Sequence, residues 1–383
     1  GATDGASAFG DSLTRTGGAA KAPMSTDPHN SGPHPVAIVG IGCRFPGGVV
    51  DPTGMWSLLV DGADVVGDAP ERVGLEPFYH PEPKTPGRIC TRQGGFLEDV
   101  AGFDAALFGV APREASRMDP QQRLLLMSAW DAIEDGGIAP RSLSGREVGV
   151  FVGVSYEEYC HHMLLAPEVC DPYTNAGGSR SVVSGRISYC LDLRGPSIAI
   201  DTACSSSLVA AHLACRSLRN GEADMALACG VNVLLRPEPY VGFSMGGMLA
   251  RDGRCKAFDD RADGFVRSEG AGVLLLQPLE RALREGRRIY AVIRGTATNN
   301  DGATSGYLMT PGRAGQEALI RAALADAAAD APQVAYVECH GTGTRVGDPV
   351  EVGAIAAVLG EGRTDSVAVG SVKTNLGHTE AAA

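Results

Sequence analysis

The sequence has no C-x-x-C pair and no Cys/His cluster at zinc spacing, although it contains ten cysteines. That excludes the common structural-zinc and dithiol motifs. Cysteines scattered through apolar segments (Cys190, Cys215, Cys229, Cys339) suit a reducing cytoplasm better than a disulfide framework. No apolar run approaches the ~20 residues of a membrane span, and no secretory hydrophobic segment follows a basic start. Basic charge is in deficit: 33 Lys and Arg against 45 Asp and Glu give a formal net charge of −12. With no basic run and no basic-aromatic interleaving, a nucleic-acid-binding surface is not expected. No Walker A pattern occurs. Gly40-x-Gly42 starts like a dinucleotide fingerprint, but its third glycine falls at Phe45, and no acidic residue closes a following βαβ unit.

What is abundant is apolar residue, 44% of 383 positions, enough for one large domain or two joined halves. Residues 1–34 lack hydrophobic period and read as a disordered leader, within which Met24 offers an alternative start. Order is expected from "PVAIVGIGCRFPGG", a buried strand over Val36–Ile41 running into a glycine-rich turn. "DPQQRLLLMSAWDAIEDGG" predicts a helix with Asp119 as N-cap, Pro120 in the first turn and Gly136-Gly137 as its stop. Then come strand "EVGVFVGVS", a helix over Ser181–Leu191, a strand-turn-helix around Cys204, and strand "ADMALACGVNVLL". From Ile289 the logic repeats: strand "IYAVIRGTAT", helix "AGQEALIRAALADAAA", strand "VAYVECHG", helix "DPVEVGAIAAVLG", strand "SVAVGSV". Such alternation predicts an α/β architecture with mainly parallel pairing.

Cys204 stands apart from the other cysteines. In "SIAIDTACSSSLVAAHLACRSL" an apolar strand leads into a helix whose Leu208, Ala211, His212, Cys215 and Leu218 recur at helical spacing. Cys204 falls on the tight turn between them, where a helix N-terminus lowers a thiol pKa. The arrangement is that of a nucleophile elbow, and small neighbours leave room for an acyl group. A buried structural cysteine is the alternative. "VAYVECHGTGTRVGDPVEVGAIAAVL" has the same order of strand, reactive-type residue and helix. A duplicated fold would bring Cys204 and His340 to one pocket.

Of eight histidines, two follow strand ends, where ligand sites of α/β sheets collect: His340 in "HGTGT" and His378 in "KTNLGH". A Cys–His pair admits a thiol hydrolase, with one imidazole as base. Two histidines aimed at one point suit another task, donating two hydrogen bonds to a thioester carbonyl that becomes an enolate. Neutral imidazole does this through Nε2–H when its other nitrogen accepts a bond. Lys373 supplies either a fixed positive charge or an ordinary salt bridge to Glu351 or Asp348.

"DTACSSS" around Cys204, "HGTGTRVGDPVE" at His340 and "KTNLGH" at His378 resemble the signature motifs of β-ketoacyl synthases, most of all the ketosynthase domains of type I polyketide synthases. "VAIVGIGCRFPGG", "DPQQRLLL", "GRISYCLDLRGPS" and "AFDDRADGFVRSEG" share the likeness, which runs from Pro35 to the last residue. It implies a thiolase-like fold of five layers, α-β-α-β-α, from two similar halves, here 35–285 and 286–383. Family members continue through further strands and a glycine-phenylalanine loop, so the second half reads as incomplete and the chain alone as weakly active or inactive. The resemblance implies Cys204 as the acyl-accepting nucleophile, its backbone N–H as half of the oxyanion hole, and His340 and His378 on the malonyl or methylmalonyl thioester. Lys373 would support the histidines, and Thr342 and Thr344 the phosphopantetheine arm. No intrinsic cofactor or metal is implied; the phosphopantetheine belongs to an acyl carrier protein. Expected partners are that carrier, an acyltransferase and other polyketide synthase domains in the same polypeptide, and a second copy in a homodimer. The alternative is a non-catalytic ketosynthase-like partner, against which the retained Cys204, His340 and His378 count.

Overall fold

Apolar runs without a polar position mark strands covered on both faces. Val148–Gly153 and Met225–Asn232 are such runs, and every residue in both is buried. In the computed structural model, which describes residues 34–303 and 306–383, they form the middle of a six-stranded sheet. Residues 1–33 of the expected leader, Met24 among them, lie outside the described residues. The described strands are β1 (Val36–Arg44), β2 (Val66–Asp68), β3 (Gln93–Gly95), β4 (Val148–Gly153), β5 (Ser197–Ile200), β6 (Met225–Asn232), β7 (Gly270–Pro278), β8 (Ala291–Ile293), β9 (Tyr336–Glu338) and β10 (Ala368–Gly370). The large sheet runs β5-β4-β6-β7-β1-β8, with β9/β10 and β2/β3 as two small sheets.

The large sheet is mixed rather than mainly parallel. β4 pairs in parallel with β5 and β6, but β7 runs antiparallel to both β6 and β1, and β8 antiparallel to β1. The difference lies in "GAGVLLLQP", an apolar strand that breaks the alternation of strands and helices and inserts between β6 and β1 in the reverse sense.

Side chains alternate across the sheet with the two-residue period of a strand. Val150, Val152, Leu227, Cys229, Val273 and Leu275 pack on one face with Leu125, Ala129, Ile133 and Ile187 of helices Pro120–Asp135 and Val182–Leu191. Phe151, Ala226, Ala228 and Leu276 pack on the other with Ala210, Ala214, Cys215 and Leu218 of helix Ser206–Arg219. That helix is tied in turn to the second half: His212 Nδ1 lies 2.8 Å from Thr296 Oγ1, and Arg219 pairs with Asp326 at 2.8 Å. There β9 and β10 pack with helices Arg313–Ala327 and Gly347–Leu359 around Cys339, Ile355, Val358 and Leu359. The layers follow the expected α-β-α-β-α order.

The glycine-rich turn falls at 46–48, beyond Gly40 and Gly42. β1 continues through both to Arg44, and each faces the Pro120–Asp135 helix. A Cβ on Gly40 would lie 2.1 Å from Ala132 O, and one on Gly42 2.0 Å from Ser128 O. The glycine pair is a groove that seats a helix on a strand.

Candidate active site

Cys204 sits where the sequence places it, in a one-turn 3-10 segment (Ala203–Ser205) between the end of β5 and helix Ser206–Arg219. Short polar links close the turn. Asp201 Oδ1 accepts the Ala203 N–H at 3.1 Å, while Ser206 Oγ accepts the Thr202 N–H at 2.9 Å and donates to Ala203 O at 2.7 Å. Ala203 has φ +54°, a left-handed conformation that costs a residue with a Cβ ~1–2 kcal/mol. The strain aims the next side chain out of the elbow.

The resting thiol differs from the expectation in one respect. Burial and the nearby Glu380 carboxylate push it up to about 11, with Lys373 and the turn's backbone acting the other way. Helix-terminal stabilisation is outweighed by desolvation here.

His378 Nε2 lies 3.1 Å from Cys204 Sγ, and its Nδ1 accepts the Glu380 backbone N–H at 3.1 Å. A backbone N–H can only donate, so Nδ1 carries no proton. The ring is fully enclosed, edge-on to Phe265 at 5.3 Å between ring centres. Burial, with His340, Lys373 and Arg267 nearby, holds its pKa well below the usual range. A neutral ring with a bare Nδ1 has its proton on Nε2. His378 is therefore a donor toward Sγ.

The His340 ring stands 5.3 Å from that of His378, centre to centre, at 87°. Its residue keeps an open, solvent-facing side, yet its surroundings and Lys373 bring the imidazole down to about 4. Its ring nitrogens have no hydrogen-bond partner among the described residues. The backbone that presents it is held by Glu351, which accepts the His340 and Gly341 N–H groups at 2.6 and 2.9 Å. Asp348 Oδ1 accepts those of Gly343 and Thr344, both at 3.2 Å, and its Oδ2 that of Phe258 at 2.8 Å. Both acids are spent on shaping the "HGTGT" loop, so neither pairs with Lys373. That lysine is buried, its ammonium has no ion pair or hydrogen bond among the described residues, and burial pulls its pKa down. Thr342 is buried and Thr344 half-buried, their hydroxyls 3.3 Å apart.

The donor atoms of Cys204, His340 and His378 all lie within 4.8 Å of one another, a set that by composition would suit zinc. The tautomer opposes it. A metal-binding imidazole donates its second N–H to an acceptor, whereas Nδ1 of His378 faces a donor. Beside the elbow, a cavity of about 520 Å³ is lined by Ser155, Tyr156, Glu158, Leu164, Leu165 and Arg180. Ser155 Oγ donates to Asp201 at 2.9 Å, linking its wall to the Cys204 turn.

Sequence reasoning names Cys204, His340, His378 and Lys373 but misses Glu380, Arg267 and Phe265. Glu380 follows His378 by two positions, so proximity alone could have flagged it. Arg267 and Phe265 lie in "GFVRSEG", where only the fold shows that they face His378.

Comparison with known proteins places these features. The family model described as "Beta-ketoacyl synthase, N-terminal domain" matches residues 34–282, and "Beta-ketoacyl synthase, C-terminal domain" matches residues 290–383. A phenolphthiocerol/phthiocerol polyketide synthase protein of Mycobacterium tuberculosis (strain CDC 1551 / Oshkosh) is 53% identical over 350 residues, covering 91% of this chain and 23% of that protein. "Erythronolide synthase EryA2" of Saccharopolyspora erythraea is 50% identical over 351 residues, covering 91% and 10%. Among solved structures, the ketosynthase from module 6 of the bacillaene synthase of Bacillus subtilis 168 is 39% identical with a TM-score of 0.83, covering 91% of this chain and 59% of that one. The oxazolomycin ketosynthase domain OzmH KS7 of Streptomyces albus JA3453 is 40% identical with a TM-score of 0.85, covering 91% and 60%. The chain thus spans less than a quarter of either curated relative. With both halves of one family matched in order on a fold shared with its solved members, this chain belongs to the β-ketoacyl synthase family.

Proposed function

We propose that this chain performs decarboxylative Claisen condensation in polyketide biosynthesis. The observation that carries the reading is the Nε2–H of His378 aimed at Cys204 Sγ, with a second neutral imidazole, His340, beside it. Cys204 takes an acyl group from a carrier thioester; the carbonyl–sulfur bond to the carrier breaks, and the carrier leaves as its thiol with the Cys204 proton. A malonyl or methylmalonyl thioester then binds with its carbonyl between His340 and His378. Carbon dioxide departs, leaving the C–C electron pair in an enolate that both imidazoles stabilise by donation. The enolate carbon attacks the acyl-Cys204 carbonyl, and the thiolate leaves, releasing a β-ketoacyl thioester two backbone carbons longer.

The donor state of His378 counts against the hydrolase alternative, because a nitrogen that already holds a proton cannot take one from the thiol. Lys373 holds a positive charge close to all three groups and helps keep both imidazoles neutral. Thr342 and Thr344 are assigned to the phosphopantetheine arm, and the Cys204 N–H to half of the oxyanion hole. The partners proposed are an acyl carrier protein, an acyltransferase and other polyketide synthase domains of one polypeptide, and a second copy of the chain. For the last, the edge strand β5 exposes Ile198, with Tyr189 and Leu208 also exposed. No described helix is long and apolar enough to cross a membrane.

Intact mass after incubation with an acyl-N-acetylcysteamine tests the first step. The wild type should gain one acyl mass and Cys204→Ala none. Equal labelling of both would remove Cys204 from its role.

A further inference from the structure

Arg267 is a fully buried cation that the condensation chemistry leaves without a task. Burying a charge is costly unless it is well paired. Here the guanidinium forks onto one carboxylate, Nε to Glu380 Oε1 at 2.5 Å and Nη2 to Glu380 Oε2 at 3.0 Å. Tyr240, Phe243 and Tyr156 pack around it with ring centres 4.6, 5.3 and 5.4 Å away. Glu158 Oε1 is 3.8 Å from Nη2, and the other oxygen of Glu158 accepts the Leu235 and Arg236 N–H groups.

The main chain of the same residue meets His378. Val266 O accepts the His378 N–H at 2.7 Å, and the Ser268 N–H donates to His378 O at 2.8 Å, so Arg267 and His378 form a parallel bridge. The segment around Arg267 therefore holds "GHTE" twice, by the Val266 and Ser268 backbone at His378 and by the Arg267 side chain at Glu380. Between these two grips Glu380 adopts φ +50°, a conformation an L residue keeps only when its surroundings over-determine it. In that conformation its N–H points at His378 Nδ1.

We propose that Arg267 is a positioning residue for His378: by clamping the Glu380 carboxylate it holds the Glu380 N–H on Nδ1 and keeps the imidazole proton on Nε2. The proposal rests on the condensing role assigned to His378, and its test separates the two.

The readout is the nitrogen-15 spectrum of histidine-labelled 383-residue chain, with His378 assigned by difference from His378→Gln. The wild type should show Nδ1 bare and Nε2 protonated. Arg267→Met/Glu380→Leu replaces the ion pair by apolar side chains, and Glu158, which loses the cation at 3.8 Å, keeps its Leu235 and Arg236 N–H bonds. The double variant should mix the two tautomers and cut carbon dioxide release from a malonyl thioester at least ~10-fold, a fraction of the ~10⁴-fold that a wrong tautomer costs a triad histidine. Acyl uptake at Cys204 should not fall, since that step does not use the tautomer and the lost Glu380 carboxylate is one that pushes the thiol up. A wild type with its proton on Nδ1, or a folded double variant with the wild-type tautomer, overturns the proposal. If the double variant does not fold, Glu380→Gln is read the same way, and a tautomer as uniform as wild type overturns it there too. A wild type with the Nε2–H tautomer that variants lose, but whose carbon dioxide release does not fall with it, supports the positioning role and sinks the condensing reading instead.

Discussion

Cys204 and His378 meet across 174 residues of chain, Sγ to Nε2 at 3.1 Å, with His378 oriented as a donor by the Glu380 N–H. A nucleophile and a base in this arrangement would need the opposite proton placement. In the proposed condensation this divides the labour: Cys204 would hold the acyl group, and His378 would serve the step in which negative charge moves onto a carbonyl oxygen.

From this division, His378→Ala and His340→Ala should separate the half-reactions. Carbon dioxide release should fall ~10²–10³-fold for each, the loss seen when one donor is removed from a site of developing negative charge. Acyl transfer to Cys204 should stay within roughly tenfold, because neither imidazole is the thiol's base. The two rates are measured on one preparation, by evolved carbon dioxide and by adduct mass. A variant that loses acylation first would show that its histidine acts on the thiol.

Lys373 offers a prediction with a sign. His340 is held at about 4 by burial first and by the Lys373 charge second. His378 is lowered by burial, His340, Lys373 and Arg267. Removing a neighbouring cation favours the imidazolium and raises both values. An imidazolium lacks the acceptor nitrogen that Glu380 requires, so the acid limb of the decarboxylation profile should move to higher pH in Lys373→Met. A profile that drops in height without moving would mean that Lys373 acts on substrate rather than on the histidines.

Much of the candidate site was legible because it is written locally. Cys204 and His340 each follow a strand end beside small residues, which is readable from a handful of neighbours, whereas His378 follows not a strand, as expected, but the short helix Lys373–Leu376 after β10. The two-half echo also pointed to Cys204 and His340 sharing a pocket, and their donor atoms do lie within 4.8 Å of each other. What escaped depends on contacts distant in sequence. Arg267 meets Glu380 across 113 residues, and nothing in "FVRSEG" says which acid it will find. The antiparallel insertion of β7 escaped for the same reason, since an apolar run states that a strand is buried but not which neighbours it has. The thiol pKa went the other way because local signals report the helix end, while the desolvation that outweighs it comes from the whole fold.

Gly40 and Gly42 give a prediction about the fold alone. Gly42→Ala would put a methyl 2.0 Å from Ser128 O, a main-chain atom of a helix that packs along β1 and β7. Neither side can yield by rotating a side chain, so the sheet and helix must part. Overpacking of this kind costs ~1–3 kcal/mol and more where backbone must move. The urea midpoint should fall accordingly, with acylation per folded molecule unchanged. A Gly42→Ala protein as stable as wild type would mean that the helix does not lie where the structure puts it.

The Asp119 carboxylate is buried at the N-cap of the Pro120–Asp135 helix, where it accepts the Gln121 N–H at 2.8 Å. Burial pushes it up to about 6, outweighing that hydrogen bond and the pull of Arg123. Unfolded, the group titrates near the ordinary ~3.9. Between these values the native state holds a proton that the unfolded state has released, so stability falls as pH rises from about 4 to about 6 and is level above. Two pKa units amount to ~3 kcal/mol for a fully buried group. Asparagine caps a helix as well as aspartate does and has no proton to lose. Asp119→Asn should therefore match wild type near pH 4 and exceed it by ~2–3 kcal/mol at pH 7, measured by urea unfolding across that range. A difference that shrinks as pH rises would mean that the native carboxylate is stabilised by its cap bonds rather than penalised by burial.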